Sequence, residues 1–257
     1  MVLKLSFSSL LFLLVLLPAL CSAYDTFTHS RAAYYGSKDG LGTPTGACGY
    51  GEFGRNVYGG NVAAVSKLFK GGVGCGACYQ VKCTNPKLCT KDGVEIMVTD
   101  HGASDNTDFI LSTHGFSSMA YQNKAKQLLA YGVVDIIVTW VYVVGVLRVP
   151  CKFPGHNLMV KVHESSRFPD YLAIIFIFQA GERDISAVEL WQVDYKKWVA
   201  MRRAFGGVWD ISTPPKGPLK LRVLASEDGK KKWVELKKVI PKMWKTGMAY
   251  DSGIQLY

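Results

Sequence analysis

Hydrophobic and polar positions change their rhythm midway along this chain. In the C-terminal part the period is two: Leu219, Leu221 and Val223 alternate with Lys220 and Arg222, and Val234 and Leu236 alternate with Glu235 and Lys237, the signature of half-buried strands with a basic solvated face. Residues 171–178 are instead continuously apolar, as expected of a central strand covered on both sides. Turn signals at Ala180-Gly181-Glu182, Gly206-Gly207, Pro214-Pro215-Lys216-Gly217 and Glu227-Asp228-Gly229 separate these runs, which predicts a β-sandwich. The N-terminal part has short β-type runs at residues 76–82, 94–99 and 133–139 between turns. Helical spacing is read at residues 117–130 (Met119, Ala120, Leu128, Leu129) and 61–69 (Val62, Val65, Leu68, Phe69).

Two apolar stretches raise the question of a membrane. Lys4, an apolar run over residues 5–20 and Cys21-Ser22-Ala23 read as a secretory signal cleaved before Tyr24, since the run is short for a span of about 20 residues and ends in small residues. Residues 133–149 are almost uncharged, but they are β-branched and contain Asp135 and Gly145, so strand is preferred over span. No membrane association is expected once the signal is removed.

Composition then sharpens the division. The chain has 257 residues, 49% hydrophobic and 19% charged, too apolar for a disordered chain and long enough for two domains. Removal of residues 1–23 leaves Cys48, Cys75, Cys78, Cys83, Cys89 and Cys151. An even count in a secreted chain predicts three disulfides, with 15 connectivities open. Cys75-Gly-Ala-Cys78 has no second CxxC or HxxxH partner, so a metal site is not expected, nor is any cofactor. All six cysteines precede residue 152, and 13 of the 26 glycines fall within residues 36–76. The part from Lys152 onward holds five of the six tryptophans, and 18 basic against 11 acidic residues. The boundary therefore falls near residues 151–155, giving a signal over 1–23, a disulfide-tied domain over 24–151 and a cysteine-free domain over 152–257. The mature charge, 29 basic against 20 acidic residues, comes without a nucleic-acid motif, Lys230-Lys231-Lys232 and Arg202-Arg203 being isolated clusters.

Six motifs in order now resemble a known family: Ala32-Ala33-Tyr34-Tyr35-Gly36, Thr45-Gly46-Ala47-Cys48-Gly49-Tyr50-Gly51, Gly74-Cys75-Gly76-Ala77-Cys78-Tyr79-Gln80-Val81-Lys82-Cys83, Val98-Thr99-Asp100, Thr107-Asp108-Phe109-Ile110-Leu111-Ser112 and Arg148-Val149-Pro150-Cys151. The chain resembles a plant expansin, and Val98-Thr99-Asp100-His101-Gly102 leading to Asp105-Asn106-Thr107-Asp108 is similar to the expansin-like B subgroup. The resemblance implies an all-β fold with minor helix: a six-stranded double-psi β-barrel similar to family 45 endoglucanases, followed by an immunoglobulin-like β-sandwich that binds carbohydrate. It also implies the pairs Cys48–Cys75, Cys78–Cys151 and Cys83–Cys89. Relative to the family, residues 137–147 look like an insertion of about eight or nine residues, judged on the length expected of the barrel strand.

For the site, the resemblance implies Asp108 in the place of the endoglucanase general acid, with Asp100 and Tyr35 lining the groove. The catalytic base is missing, because Gly36-Ser37-Lys38 stands where the endoglucanases carry an aspartate; inverting hydrolysis needs both carboxyls. No catalytic residue is therefore assigned. Thr107 replaces the His of the family's His-Phe-Asp motif and Ala33 a Thr, and His101 or His114 could substitute. In the second domain the resemblance places Tyr171 and Phe205 on the stacking platform, with Trp198 and Trp209 as further carbohydrate-binding candidates. The expected function is a secreted, monomeric wall protein that binds cellulose, xyloglucan or another β-glucan and loosens non-covalent contacts without hydrolysis. Its basic charge would also attract acidic pectin. The alternatives are a weak endoglucanase and a barwin-like defence or interaction module, which would leave the second domain unexplained.

Overall fold

The computed structural model describes residues 26–102, 107–140, 148–227, 229–238 and 240–257. The signal segment and most of the suspected insertion lie outside these residues. Six strands close into a barrel in the order β1-β5-β2-β4-β3-β6: β1 (Thr26–Tyr35), β2 (Val62–Val65), β3 (Cys78–Cys83), β4 (Val94–His101), β5 (Phe109–Ser112) and β6 (Val133–Trp140). Pairing is parallel between β1 and β5 and between β2 and β4, and antiparallel elsewhere. The strands expected at residues 76–82, 94–99 and 133–139 are thus β3, β4 and β6.

The helical readings fare less well. Residues 62–65 form β2, buried on every side between β4 and β5, while Leu68 and Phe69 fall in a 3₁₀ helix, Lys67–Gly72, so a stretch with no polar face mimics helical spacing in its first half. Residues 117–130 divide into α2 (Thr113–Ser118) and α3 (Ala125–Tyr131), after α1 (Glu52–Asn56). The break has a cause: the Cys83–Cys89 loop takes the intervening backbone, Thr90 N donating to Met119 O (2.9 Å) and Tyr121 N to Leu88 O (2.9 Å). Ile137 and Val138 are full members of β6, paired to both β1 and β3.

All three disulfides join the pairs the resemblance implies. Beyond them two sheets stack as a sandwich. One has the order β11-β12-β8-β7-β15, from β7 (Met159–Val162), β8 (Tyr171–Ile177), β11 (Arg202–Phe205), β12 (Val208–Ser212) and β15 (Ala249–Asp251). The other runs β10-β9-β13-β14, from β9 (Asp184–Gln192), β10 (Lys197–Ala200), β13 (Leu221–Glu227) and β14 (Lys230–Glu235).

Strand β8 serves two cores, which explains its unbroken apolar run. Leu172, Ile174 and Phe176 enter the sandwich interior with Val188, Leu190, Leu221 and Val223, whereas Ala173, Ile175 and Ile177 join Val208 in packing on the barrel. The junction is close. A Cβ on Gly206 would overlap the Ala47 carbonyl oxygen and lie 2.6 Å from the Cys48 Cα. Gly207 N donates to Cys48 O (3.0 Å). The buried Arg148 guanidinium reaches Asp184 (2.6 Å) and Glu182 O (2.9 Å), and Arg203 donates to Gly72 O (3.3 Å), Gly206 O (2.8 Å) and Ile185 O (2.7 Å).

Candidate carbohydrate-binding site

Within the barrel, Asp100 ends β4 with Oδ1 accepting from Ala47 N (2.6 Å) and His101 N (2.7 Å). It therefore pins the glycine-rich 43–49 loop against the strand end. Gly46 permits the approach, since a Cβ there would stand 2.6 Å from Thr99 O. The Tyr35 hydroxyl is buried with no hydrogen-bond partner among the described residues, and its pKa is pushed up to about 12, first by burial and then by the charge of Asp100. Asp108 stands exposed just before β5, with Ser30 Oγ hydrogen-bonded to its carboxylate and its backbone N donating to Arg31 O (3.2 Å).

Gly36, Ser37 and Lys38 are exposed, and the acid that follows, Asp39, is ion-paired with Arg55 and accepts from Leu41 N (3.0 Å) and Ser37 Oγ (3.1 Å). The Leu41 N–H is the main reason its pKa lies below the usual carboxylate range. Thr107 is buried, with no hydrogen-bond partner for Oγ1 among the described residues, so it presents no group at the surface where the family has His. The His101 ring lies over Phe69 at 4.6 Å, and His114 is exposed near the start of α2, its backbone N–H donating to Gly40 O (2.8 Å).

The sandwich supplies the aromatics. By register Tyr171, Asp210 and Arg202 share one face of their sheet, Asp210 standing opposite both Ala173 and Arg202. The buried Asp210 carboxylate accepts from the Tyr171 hydroxyl (2.8 Å) and from Arg202 Nε (3.0 Å) and Nη2 (2.6 Å). These hydrogen bonds, Arg202's first, lower its pKa. The Tyr171 ring is thereby fixed by its own hydroxyl. Phe205 is 47% exposed, with its ring braced edge-on by His163 at 5.6 Å and backed by Gly49, where a Cβ would come within 2.8 Å of it.

Trp198 and Trp209 do not join this face. Trp209 is 5% exposed in the sandwich core, with the Arg203 guanidinium 4.2 Å from its ring centroid. Its neighbour Asp210 points the other way, as alternation along a strand requires. Trp209, a candidate by resemblance, is thus a core residue with its ring closed to a sugar. Trp198 lies in β10, on the sheet remote from the barrel.

Between barrel and sandwich lies an open cleft of about 430 Å³, lined by Thr45, Gly46 and Glu52 on one side and His163, Glu164 and Phe205 on the other. That is the size of an ordinary ligand site. The sequence motifs miss His163, Glu164 and the Arg202–Asp210 pair: Gly206-Gly207 as a hairpin turn would set Arg203 opposite Asp210, and only the bulge between Arg203 and Phe205 shifts Arg202 into that place. Among the described residues no cluster of His, Cys, Asp or Glu could hold a metal ion, and no helix is long and apolar enough to cross a membrane.

A closed double-psi barrel fused through a shared core to a β-sandwich, with an open cleft between them, defines a two-domain protein of the expansin type. Residues 158–241 match the family model of the expansin C-terminal domain, and residues 61–136 match a double-psi barrel model described as lytic transglycolase. The chain is 46% identical over 244 residues to expansin-like B1 of Arabidopsis thaliana (95% of this chain, 94% of the relative), and 44% identical over 247 residues to expansin-like B1 of Oryza sativa subsp. japonica (95% and 93%). The apo crystal structure of Clavibacter michiganensis expansin superimposes with a TM-score of 0.64 at 20% identity, covering 90% of this chain and 98% of that one, and a mutant of that protein in complex with cellohexaose gives 0.64 at 19% with the same coverage. The chain belongs to the expansin superfamily, in the expansin-like B subgroup.

Proposed function

We propose that this protein is secreted after loss of residues 1–23 and binds a β-glucan of the plant cell wall, loosening its non-covalent contacts without cleaving it. The track runs from Asp100, Tyr35 and Asp108 in the barrel domain (24–151), across the shared cleft, to Phe205 and Tyr171 in the sandwich domain (152–257). The observation that carries this reading is the braced, open Phe205 and Tyr171 face beside a cleft built by both domains. A pyranose ring offers an apolar face to such rings. Kinship with a superfamily whose bacterial member has been crystallised with cellohexaose supports a glucan as ligand. The absence of hydrolysis is supported by Asp39 being turned to Arg55 and by Gly36-Ser37-Lys38 offering no carboxylate, since water activation on the far side of the sugar needs a second carboxylate. Acidic pectin would retain the basic chain by charge.

The test is a pull-down of the mature chain on cellulose, xyloglucan, xylan and pectin at low and high salt, with creep of heat-killed walls and reducing-sugar release measured on the same preparation. Retention on a glucan at high salt with creep and no sugar release is expected, because stacking survives salt and charge attraction does not. Sugar release abolished by Asp108→Asn would replace this reading with a weak endoglucanase; folded protein without creep would reduce it to a binding protein.

A further inference from the structure

Aromatic rings alone do not tell one β-linked chain from another, because the apolar faces they stack on are common to glucose and xylose units. The two sugars differ at the edge of the chain, where glucose carries a hydroxymethyl group and xylose a hydrogen. A platform that discriminates therefore needs a polar group held in place beside its rings. On β12, Ser212 stands opposite Tyr171 and Val208 opposite Phe205, which puts the backbones of the two aromatic residues about 16 Å apart at ordinary strand spacing. Asp210 lies midway between Ser212 and Val208, with Arg202 opposite it on β11. The Arg202 side chain is 77% exposed and that of Asp210 only 3%. An exposed arginine thus stands between the two rings, tied to a buried carboxylate.

The hydrogen bonds decide what this arginine can do. Nε and Nη2 bind the two carboxylate oxygens separately, so the plane of the guanidinium is fixed. The Tyr171 hydroxyl donates to the same Oδ2 that Nη2 reaches, so ring and guanidinium share one anchor. Of the five N–H groups of a guanidinium two are used here, and the other three have no acceptor among the described residues. Asp210, buried and accepting three hydrogen bonds, has nothing left to offer a ligand. The pair therefore presents donors without net charge, which suits the hydroxyl oxygens of a neutral sugar. Because the side chain is already held, little rotamer entropy remains to be lost on binding. We propose that Arg202 is a sugar-contacting, specificity-determining residue: its free N–H groups donate to hydroxyl oxygens along the edge of a chain stacked on Tyr171 and Phe205, the hydroxymethyl oxygen among them. The platform then selects β-hexosans over β-pentosans, with Asp210 as the positioning residue. This inference rests on the glucan reading above and narrows it to one sugar class.

The test is calorimetric titration of the full mature chain with cellohexaose and xylohexaose at low and high salt. The native chain should hold cellohexaose about fivefold more tightly or better, with an affinity that salt leaves unchanged, since a paired guanidinium acts through hydrogen bonds and not through net charge. Arg202→Ala should weaken cellohexaose about ten- to a hundredfold, the range for hydrogen bonds to a charged group, and xylohexaose no more than about threefold. Arg202→Lys keeps a cation on Asp210, and with it the fold, but gives up the two-bonded plane and should lose the same preference. A ratio of the two affinities that neither variant changes, whether both ligands weaken together or neither does, would show that Arg202 only neutralises Asp210 and would overturn the proposal. Cellohexaose held equally well by the native chain and by Arg202→Ala would leave the glucan reading standing and sink this one alone. Failure of the native chain to bind either oligosaccharide would sink both.

Discussion

Replacing Gly206 by alanine tests whether the two domains work as a fixed unit. Gly206 has φ +47°, and the added methyl would overlap the Ala47 carbonyl oxygen and press on the Cys48 Cα at 2.6 Å, against about 3.5–4.0 Å for relaxed contact. These are main-chain atoms of the other domain, next to the Cys48–Cys75 disulfide, so no side chain can swing aside. The left-handed conformation costs roughly 1–2 kcal/mol for a residue with a Cβ, and forced repacking about 1–3 kcal/mol more. Gly155→Ala separates the two contributions, because Gly155 has φ +76° and an added methyl there would meet nothing within 4 Å. At about 2–4 °C per kcal/mol for a chain of this size, Gly206→Ala should melt roughly 2–12 °C below Gly155→Ala in matched scans. It should also weaken cellohexaose binding, since the Phe205 ring next to it loses its seat on Gly49. Equal melting temperatures for the two variants would refute the tight junction as a source of stability.

Three further outcomes follow from the same structure. Phe205→Trp enlarges an exposed ring and should tighten cellohexaose binding by about two- to tenfold, the equivalent of ~0.5–1.5 kcal/mol of aromatic contact; calorimetry would detect it, and unchanged affinity would remove Phe205 from the platform. Asp210 has a lowered pKa in the fold, so it stabilises above its unfolded value near ~3.9 and loses that contribution as pH falls through the lower folded value; Arg202→Ala should flatten this acid limb of the melting-temperature profile below about pH 4, and an unaltered limb would contradict the assignment. Cys78–Cys151 spans 73 residues and Cys83–Cys89 spans 6, so chain entropy predicts about 4.4 kcal/mol lost on removing the first and about 2.2 kcal/mol on removing the second; denaturant unfolding giving the reverse order would show that loop closure is not the governing effect.

What can be read in advance depends on having one wet face. Strands β13 and β14 are legible because Lys220, Arg222 and Glu235 mark their outer side. Strand β2 is not, because Val62, Ala63, Ala64 and Val65 are all buried and carry no period. The same blindness affects the site. Val208, Trp209 and Asp210 are all buried in succession, so nothing in the alternation tells Trp209, turned to the core, from Asp210, turned to Tyr171. Tyr171 and Phe205 are candidates only through family resemblance, and Asp100 with Tyr35 likewise. The cleft residues His163 and Glu164 meet Thr45 and Gly46 only through the docking of the domains, a long-range fact that local spacing does not carry.

Strand β8, with one face in each core, sets a limit on modularity. A binding domain that could be cut out and grafted elsewhere must be finished on every side, but the excised sandwich would bare Ala173, Ile175, Ile177 and Val208 to water. The fragment would stick to itself or to any greasy surface through the very sheet that presents Tyr171. Transplanting this surface as a carbohydrate tag would require carrying the barrel with it, or repainting those four positions with polar side chains.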